Sequence, residues 1–191
     1  AILVPIKTDN GGEWKPGDPR GYINWVLYID RDLYDHKFGR VVKMLKHWRN
    51  LKMGEASAPK SILLTAMLGY RIKCADASQR PSDAESLVEV MEALNTDLKG
   101  HNTKPRVNNP SMKSEDLAER WDDEGFTIFK DKFDWATQKA RQALDENDRD
   151  RSIGLWQGIF GSRYFPTELD GGGKAAVAVG AGGVTVSSTG R

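Results

Sequence analysis

Lys43, Lys46 and Arg49 recur at intervals of three, so on a helix they share one face, roughly a turn apart. Lys46 falls at the edge of an apolar stripe, where a lysine buries its stem and extends its ammonium into a cleft. Downstream, Lys60-Ser61 opens a second apolar-periodic run, with Pro59 suited to its first turn because that position needs no N–H. Free backbone N–H groups and the helix dipole favour an anion there. If the two helices form a hairpin, Lys46 and Ser61 address one phosphate group, with Lys60 and Lys43 as further cations. Solvated lysines on an exposed face are the commoner source of such spacing.

Other chemistries find less support. Asp30-Arg31-Asp32 has the alternation that puts two carboxylates on one side of a strand, where they can share metal ions. The glycine before it, Gly21, is followed by Tyr22 rather than a serine, and Arg31 is an odd choice for a buried strand, so a surface loop is expected. His36, His47 and His101 lack zinc-ligand spacing. Cys74, the one cysteine, excludes an internal disulfide and is expected to be inert. No glycine-rich segment carries the phosphate-loop pattern. Neither a catalytic residue nor a metal site is expected within this chain.

Composition narrows the partners. Lys plus Arg number 28 and Asp plus Glu 27 among 191 residues, so attraction for an anion must be local rather than a whole-molecule field. No apolar run reaches the length a bilayer demands, and the opening residues are too few for a signal peptide. A cytoplasmic protein is expected. The first residues, Ala1-Ile2-Leu3-Val4-Pro5-Ile6, read as a strand already under way, and a lone strand is unstable, so the chain is expected to be a fragment with partners upstream.

The elements that must position the cations follow from periodicity. Asn10 to Gly21 reads as a loop. Phe38, Val41, Val42, Leu45 and Trp48 form the stripe of an amphipathic helix, with Arg40, Lys43, His47 and Asn50 facing away. Ile62, Leu63, Ala66, Met67 and Tyr70 give a second helix its buried side. Ser82 and Glu85 form a capping box before Leu87, Val90, Met91, Leu94 and Leu98, a helix ending near Gly100. His101 to Ser114 is a loop, with a short helical turn at Leu117 to Trp121. Phe126, Phe129, Phe133, Ala136, Ala140 and Leu144 mark a long helix, and Asp145 to Arg151 a charged link. Leu155, Trp156, Ile159 and Phe160 make a last turn closed by Gly161. Most of the six tryptophans are expected in the core. From Gly171 the chain is glycine-rich and nearly uncharged, and disorder is expected.

Several of these segments together resemble a known family. Phe38-Gly39-Arg40-Val41-Val42-Lys43-Met44-Leu45-Lys46-His47-Trp48-Arg49 followed by Pro59-Lys60-Ser61-Ile62-Leu63-Leu64 is similar to the helical lobe of the bacterial cyclic-oligonucleotide synthases, nucleotidyltransferases of antiphage signalling related to cyclic GMP-AMP synthase and oligoadenylate synthase. The segment from Trp14 through Asp18-Pro19 to Tyr22, the loop Val107-Asn108-Asn109-Pro110, and Trp156 with Phe160-Gly161 and Phe165-Pro166 resemble further motifs of that family. The resemblance runs from about Val4 to Pro166.

The resemblance implies a mainly α fold: a helical bundle forming the C-terminal lobe of a nucleotidyltransferase, with a short N-terminal strand left from the catalytic sheet. Residues 1–36 would be the end of that sheet and a connecting loop and 37–168 the helical nucleotide-binding lobe, while the tail, 169–191, lies outside the resemblance and is expected to be disordered from its composition. It implies that Lys46 and Ser61 touch the donor triphosphate of ATP, GTP or another NTP. It places the acidic residues and their two magnesium ions (Mg2+) in a missing N-terminal catalytic lobe, so this fragment would be inactive alone. Ile62 stands where relatives often carry a base-stacking aromatic. A ubiquitin-ligase-like partner tethers some relatives through their C-terminus, and Thr189-Gly190-Arg191 would be accessible to one.

Two rivals stand beside this reading. A non-catalytic helical protein-interaction module would keep the architecture while leaving Lys46 and Ser61 apart. Nucleic-acid binding along Lys43 to Lys52 would show steep salt dependence, but the balanced charge makes it the weakest.

Overall fold

The computed structural model describes residues 2–8, 11–55, 57–72 and 81–165. The expectations for Cys74, for Pro166 and for the tail lie outside the described residues. The described residues are mainly helical, forming six α-helices and one two-stranded sheet.

Strands β1 (Ile2–Thr8) and β2 (Gly11–Gly17) pair antiparallel, Thr8 opposite Gly11 and Ile2 opposite Gly17. The sequence reading placed a loop where β2 lies. Its glycines and proline disfavour a strand by propensity, and pairing with the β-branched β1 overrides them. The hairpin leaves Ile2, Leu3 and Trp14 exposed.

Helix α1 (Pro19–Tyr28) begins inside the same expected loop. Asp18 caps it, its Oδ1 accepting from the Gly21 N–H at 3.0 Å, and Pro19 takes the first turn. A π-helical turn, Ile29–Leu33, carries the Asp30-Arg31-Asp32 run, in place of the expected loop. Asp30 caps the next helix, accepting from the Gly39 N–H at 2.8 Å. It therefore has a structural task.

Helices α2 (Phe38–Lys52), α3 (Ser61–Gly69), α4 (Asp83–Lys99), α5 (Asp123–Asp145) and α6 (Arg149–Phe160) form the bundle. The α2 stripe is buried as its period requires. Trp48 meets Phe129 and Phe133 edge-on, with ring centroids 5.9 and 5.4 Å apart, which locks α2 to α5. The capping box at α4 is complete in both directions, and Gly100 caps its end. Asp148 caps α6, so Arg149 to Arg151 are helical rather than part of the charged link.

Three expectations are corrected by tertiary context. Helix α3 is buried on nearly all sides, while Ile62 and Tyr70, read as core, are exposed. Trp14 and Trp135 are exposed, although Trp48, Trp121 and Trp156 are core. Pro59 precedes α3 instead of starting it: Lys60 is the N-cap and Ser61 the first helical residue. Helix α1 lies on α3 through Trp25, and Gly69 makes this possible, because a Cβ there would run into the Trp25 ring and come within 2.9 Å of Ile29 Cδ1.

Candidate functional site

The loop between α2 and α3 is pinned from α5 and the segment before it. The Trp121 indole donates to the Ser57 carbonyl at 3.1 Å, and the Lys132 ammonium donates to the Lys52 carbonyl at 2.6 Å. This fixes the Pro59 carbonyl and the start of α3 beside the last turn of α2.

Arg49 fills the junction. Its residue is 9% exposed. Nη1 donates to the Pro59 carbonyl at 2.9 Å and to Ser61 Oγ at 3.2 Å, while Nε and Nη2 both donate to Asn50 Oδ1, at 3.0 and 2.7 Å. Every partner is neutral. Among the described residues Arg49 forms no ion pair, and burial lowers its pKa. Lys46 lies one turn earlier, half-buried and likewise without an ion pair, with its pKa lowered by burial first and by the Arg49 charge second. A pair of desolvated cations without a carboxylate is costly to the apo fold. An anion arriving there meets charge that water no longer screens.

Ser61 is set to help. Its Oγ accepts from the guanidinium, which leaves its own O–H free to donate outward. The α3 N-cap, Lys60, makes no side-chain cap, and among the described residues no side chain accepts from the first-turn N–H groups. Arg49, Asn50, Glu55, Lys60 and Ser61 are among the residues around a cavity of about 390 Å³. Glu55 is the acid in that lining, and it makes no ion pair with Arg49.

The expected cation at Ser61 was Lys46, and the structure brings Arg49 there instead. Lys60 lines the cavity from the α3 N-cap, whereas Lys46, half-buried, and Lys43, exposed two turns before Asn50, lie outside the lining. The signal for Arg49 was present in the pattern. Position 49 is four residues after Leu45 and falls on the buried stripe, so a charged residue there is an anomaly that a search for exposed basic faces passes over.

No family model matches the chain. The chain is 21% identical over 172 residues to a cyclic AMP-AMP-AMP synthase of Acinetobacter sp., covering 85% of this chain and 50% of the relative. It is 25% identical over 167 residues to a cyclic AMP-AMP-GMP synthase of Enterobacter hormaechei, again over 85% of this chain but 42% of the relative. Among solved structures, CdnC of E. coli MS115-1 with ATP superposes with a TM-score of 0.65 at 14% identity, covering 84% of this chain and 55% of that one. The same enzyme in complex with HORMA-deltaN gives 0.60, also at 14% identity, over 78% and 52% of the two chains. The chain is similar over most of its length to bacterial cyclic-oligonucleotide synthases. It spans about half the length of the curated relatives it matches.

Two motifs that carry the likeness to these synthases meet in space. Ser111 Oγ, next to the Asn108-Asn109-Pro110 turn, donates to the Asp18 carbonyl at 3.0 Å, and Asn109 Oδ1 accepts from the Ser111 N–H at 3.0 Å. The turn thereby fastens the start of α1 to the bundle. Among the described residues no three His, Cys, Asp or Glu side chains gather to hold a metal ion, and no helix is long and apolar enough to cross a membrane.

Proposed function

We propose that this chain is the C-terminal helical lobe of a nucleotidyltransferase that joins NTPs into a cyclic or linear oligonucleotide messenger in antiphage defence, and that it grips the donor triphosphate. The observation that carries the reading is the buried Arg49 guanidinium, hydrogen-bonded to Ser61 and lacking a carboxylate. A triphosphate supplies the missing negative charge, and its oxygens accept from Ser61 Oγ, the first-turn N–H groups of α3, Lys46 and Lys60.

In this assignment Arg49 and Lys46 neutralise the phosphates that leave, and Ser61 orients them, so that the α-phosphorus is presented to an attacking sugar hydroxyl. The acidic residues and magnesium ions that activate that hydroxyl belong to a catalytic lobe outside this chain, so the lobe by itself performs no transfer. Magnesium, when bound there, supplies charge for the attacking and leaving oxygens.

Inorganic tripolyphosphate tests the grip, because it carries the charge and no base. Titrated calorimetrically into the chain, it is expected to bind and to raise the melting temperature. Arg49→Gln and Lys46→Ala are each expected to weaken it at least tenfold, about 1.4 kcal/mol, without loss of helicity. Unchanged binding in the folded double variant overturns the assignment and favours the protein-interaction module.

A further inference from the structure

A second cavity among the described residues is larger than the one at Arg49. A space of about 650 Å³ opens where α3 and α4 end and the loop from His101 to Ser114 crosses them. Its two sides differ in chemistry. Met67, Tyr70, Pro105 and Val107 provide an apolar wall, and Arg71, Arg106 and Lys113 provide charge against, among the described residues, the single carboxylate of Asp97.

Part of that charge has a structural explanation. Arg71 pairs with Asp97, whose other oxygen lies 4.0 Å from His101, and both basic residues follow helix C-termini, where the dipole favours cations. Arg106 and Lys113 have no such explanation, because they sit on the loop. Asn108 Oδ1 accepts from Arg106 Nε at 2.8 Å, and the Ser114 carbonyl from Nη2 at 3.0 Å, which aims the guanidinium and leaves Nη1 unused. Arg106 and Lys113 make no ion pair among the described residues.

The apolar wall is also built. The Tyr70 hydroxyl donates to the Asn108 carbonyl at 2.9 Å, which fixes the ring, and Trp25 covers one side of it with centroids 5.3 Å apart. The residue is still 42% exposed, so ring surface is open to a ligand. A fixed aromatic surface beside an aimed guanidinium fits a ligand with a flat ring at one end and an anionic group at the other.

We propose that this cavity is a mononucleotide site, with the base against Tyr70 and the phosphate between Arg106 and Lys113. It is separate from the triphosphate grip. Ser61 and Tyr70 stand at opposite ends of α3, about 13 Å apart along the helix axis at the usual rise per residue. The proposal does not depend on the grip.

AMP is the probe, since it carries a base and a single phosphate. The chain is expected to bind it, as read by calorimetry and by quenching of the Trp25 fluorescence. Arg106→Gln with Lys113→Gln should weaken AMP at least tenfold, Tyr70→Leu severalfold, and Tyr70→Phe, which keeps the ring, less than twofold. Lys113→Gln alone removes no contact the fold uses and should weaken AMP about threefold, so the test survives if the double variant unfolds. Arg49→Gln should leave AMP affinity unchanged while weakening tripolyphosphate, which keeps failure at one site distinguishable from failure at the other. Adenosine and inorganic phosphate should each bind at least tenfold more weakly than AMP. The proposal is overturned by no AMP binding, by binding that ignores Lys113 and Tyr70, by loss of AMP binding in Arg49→Gln, or by adenosine or phosphate matching AMP.

Discussion

Two arginines at two helix seams are treated in opposite ways. Between α4 and α5, Arg141 meets Glu92 side-on, Nε to Oε1 and Nη2 to Oε2, both at 2.8 Å. The hydrogen bonds from Arg141 lower the Glu92 pKa, and those to Glu92 raise the Arg141 pKa, so each charge is satisfied by the other. At the α2–α3 junction Arg49 is more deeply buried, yet it is held by a carbonyl, a hydroxyl and an amide. The first arginine is complete within the fold. The second is positioned but not neutralised, and that difference separates a cation that joins two helices from one kept for a ligand.

The comparison can be broken most forcefully at Trp48, which precedes Arg49 and keys α2 into the α5 phenylalanines. Trp48→Ala should cost about 3–5 kcal/mol in chemical denaturation and abolish anion binding along with the α2–α5 seam. If the anion still bound with full affinity, the site would not depend on how α2 is seated.

Next in size, Arg49→Gln should lower tripolyphosphate affinity more than tenfold while leaving the denaturation midpoint of the apo chain within error. A large loss of apo stability would make Arg49 a structural cation like Arg141. Glu92→Gln should do the reverse. A double-mutant cycle with Arg141 should give about 0.5–1 kcal/mol, given that both side chains are partly exposed and screened, with tripolyphosphate affinity unmoved.

The smallest effect sharpens the contrast. Lys46→Met should raise apo stability slightly, by less than about 0.5 kcal/mol, because the native state holds this charge at a cost. The folded pKa of Lys46 is lowered from 10.5, so between the folded and unfolded values the unfolded chain binds more protons and wild-type stability rises with pH. The advantage of the Met variant should therefore shrink as pH climbs through that window, and shrink at neutral pH when tripolyphosphate is added. A gap independent of both would mean that Lys46 carries no electrostatic penalty.

The bundle was legible because its signals are local. The 3.6-residue stripe of α2, the Ser82–Glu85 box and the phenylalanine ladder of α5 each act within a few turns, and each appears where the pattern put it. Helix α1 was missed because Gly21 and Pro19 read as breakers, yet a proline in the first turn and an Asp18 cap begin a helix. Its seat on α3 depends on Trp25 fitting over Gly69, a contact between residues far apart in sequence. The basic row on α2 is visible in the sequence, but which of its members hydrogen-bonds Ser61 is not, and in the structure that member is Arg49.

Sequence alone therefore determined helices α2 to α5, the capping box of α4 and the concentration of cations near Ser61, since spacing and capping act through short-range geometry. It also carried, in four ordered motifs, the resemblance to oligonucleotide synthases. Only the tertiary structure decided which cation is buried and which acids stay out of reach. Burial depends on how α3 and its preceding loop fold back over the last turn of α2, and the cost of an unpaired charge exists only once that loop has removed the water.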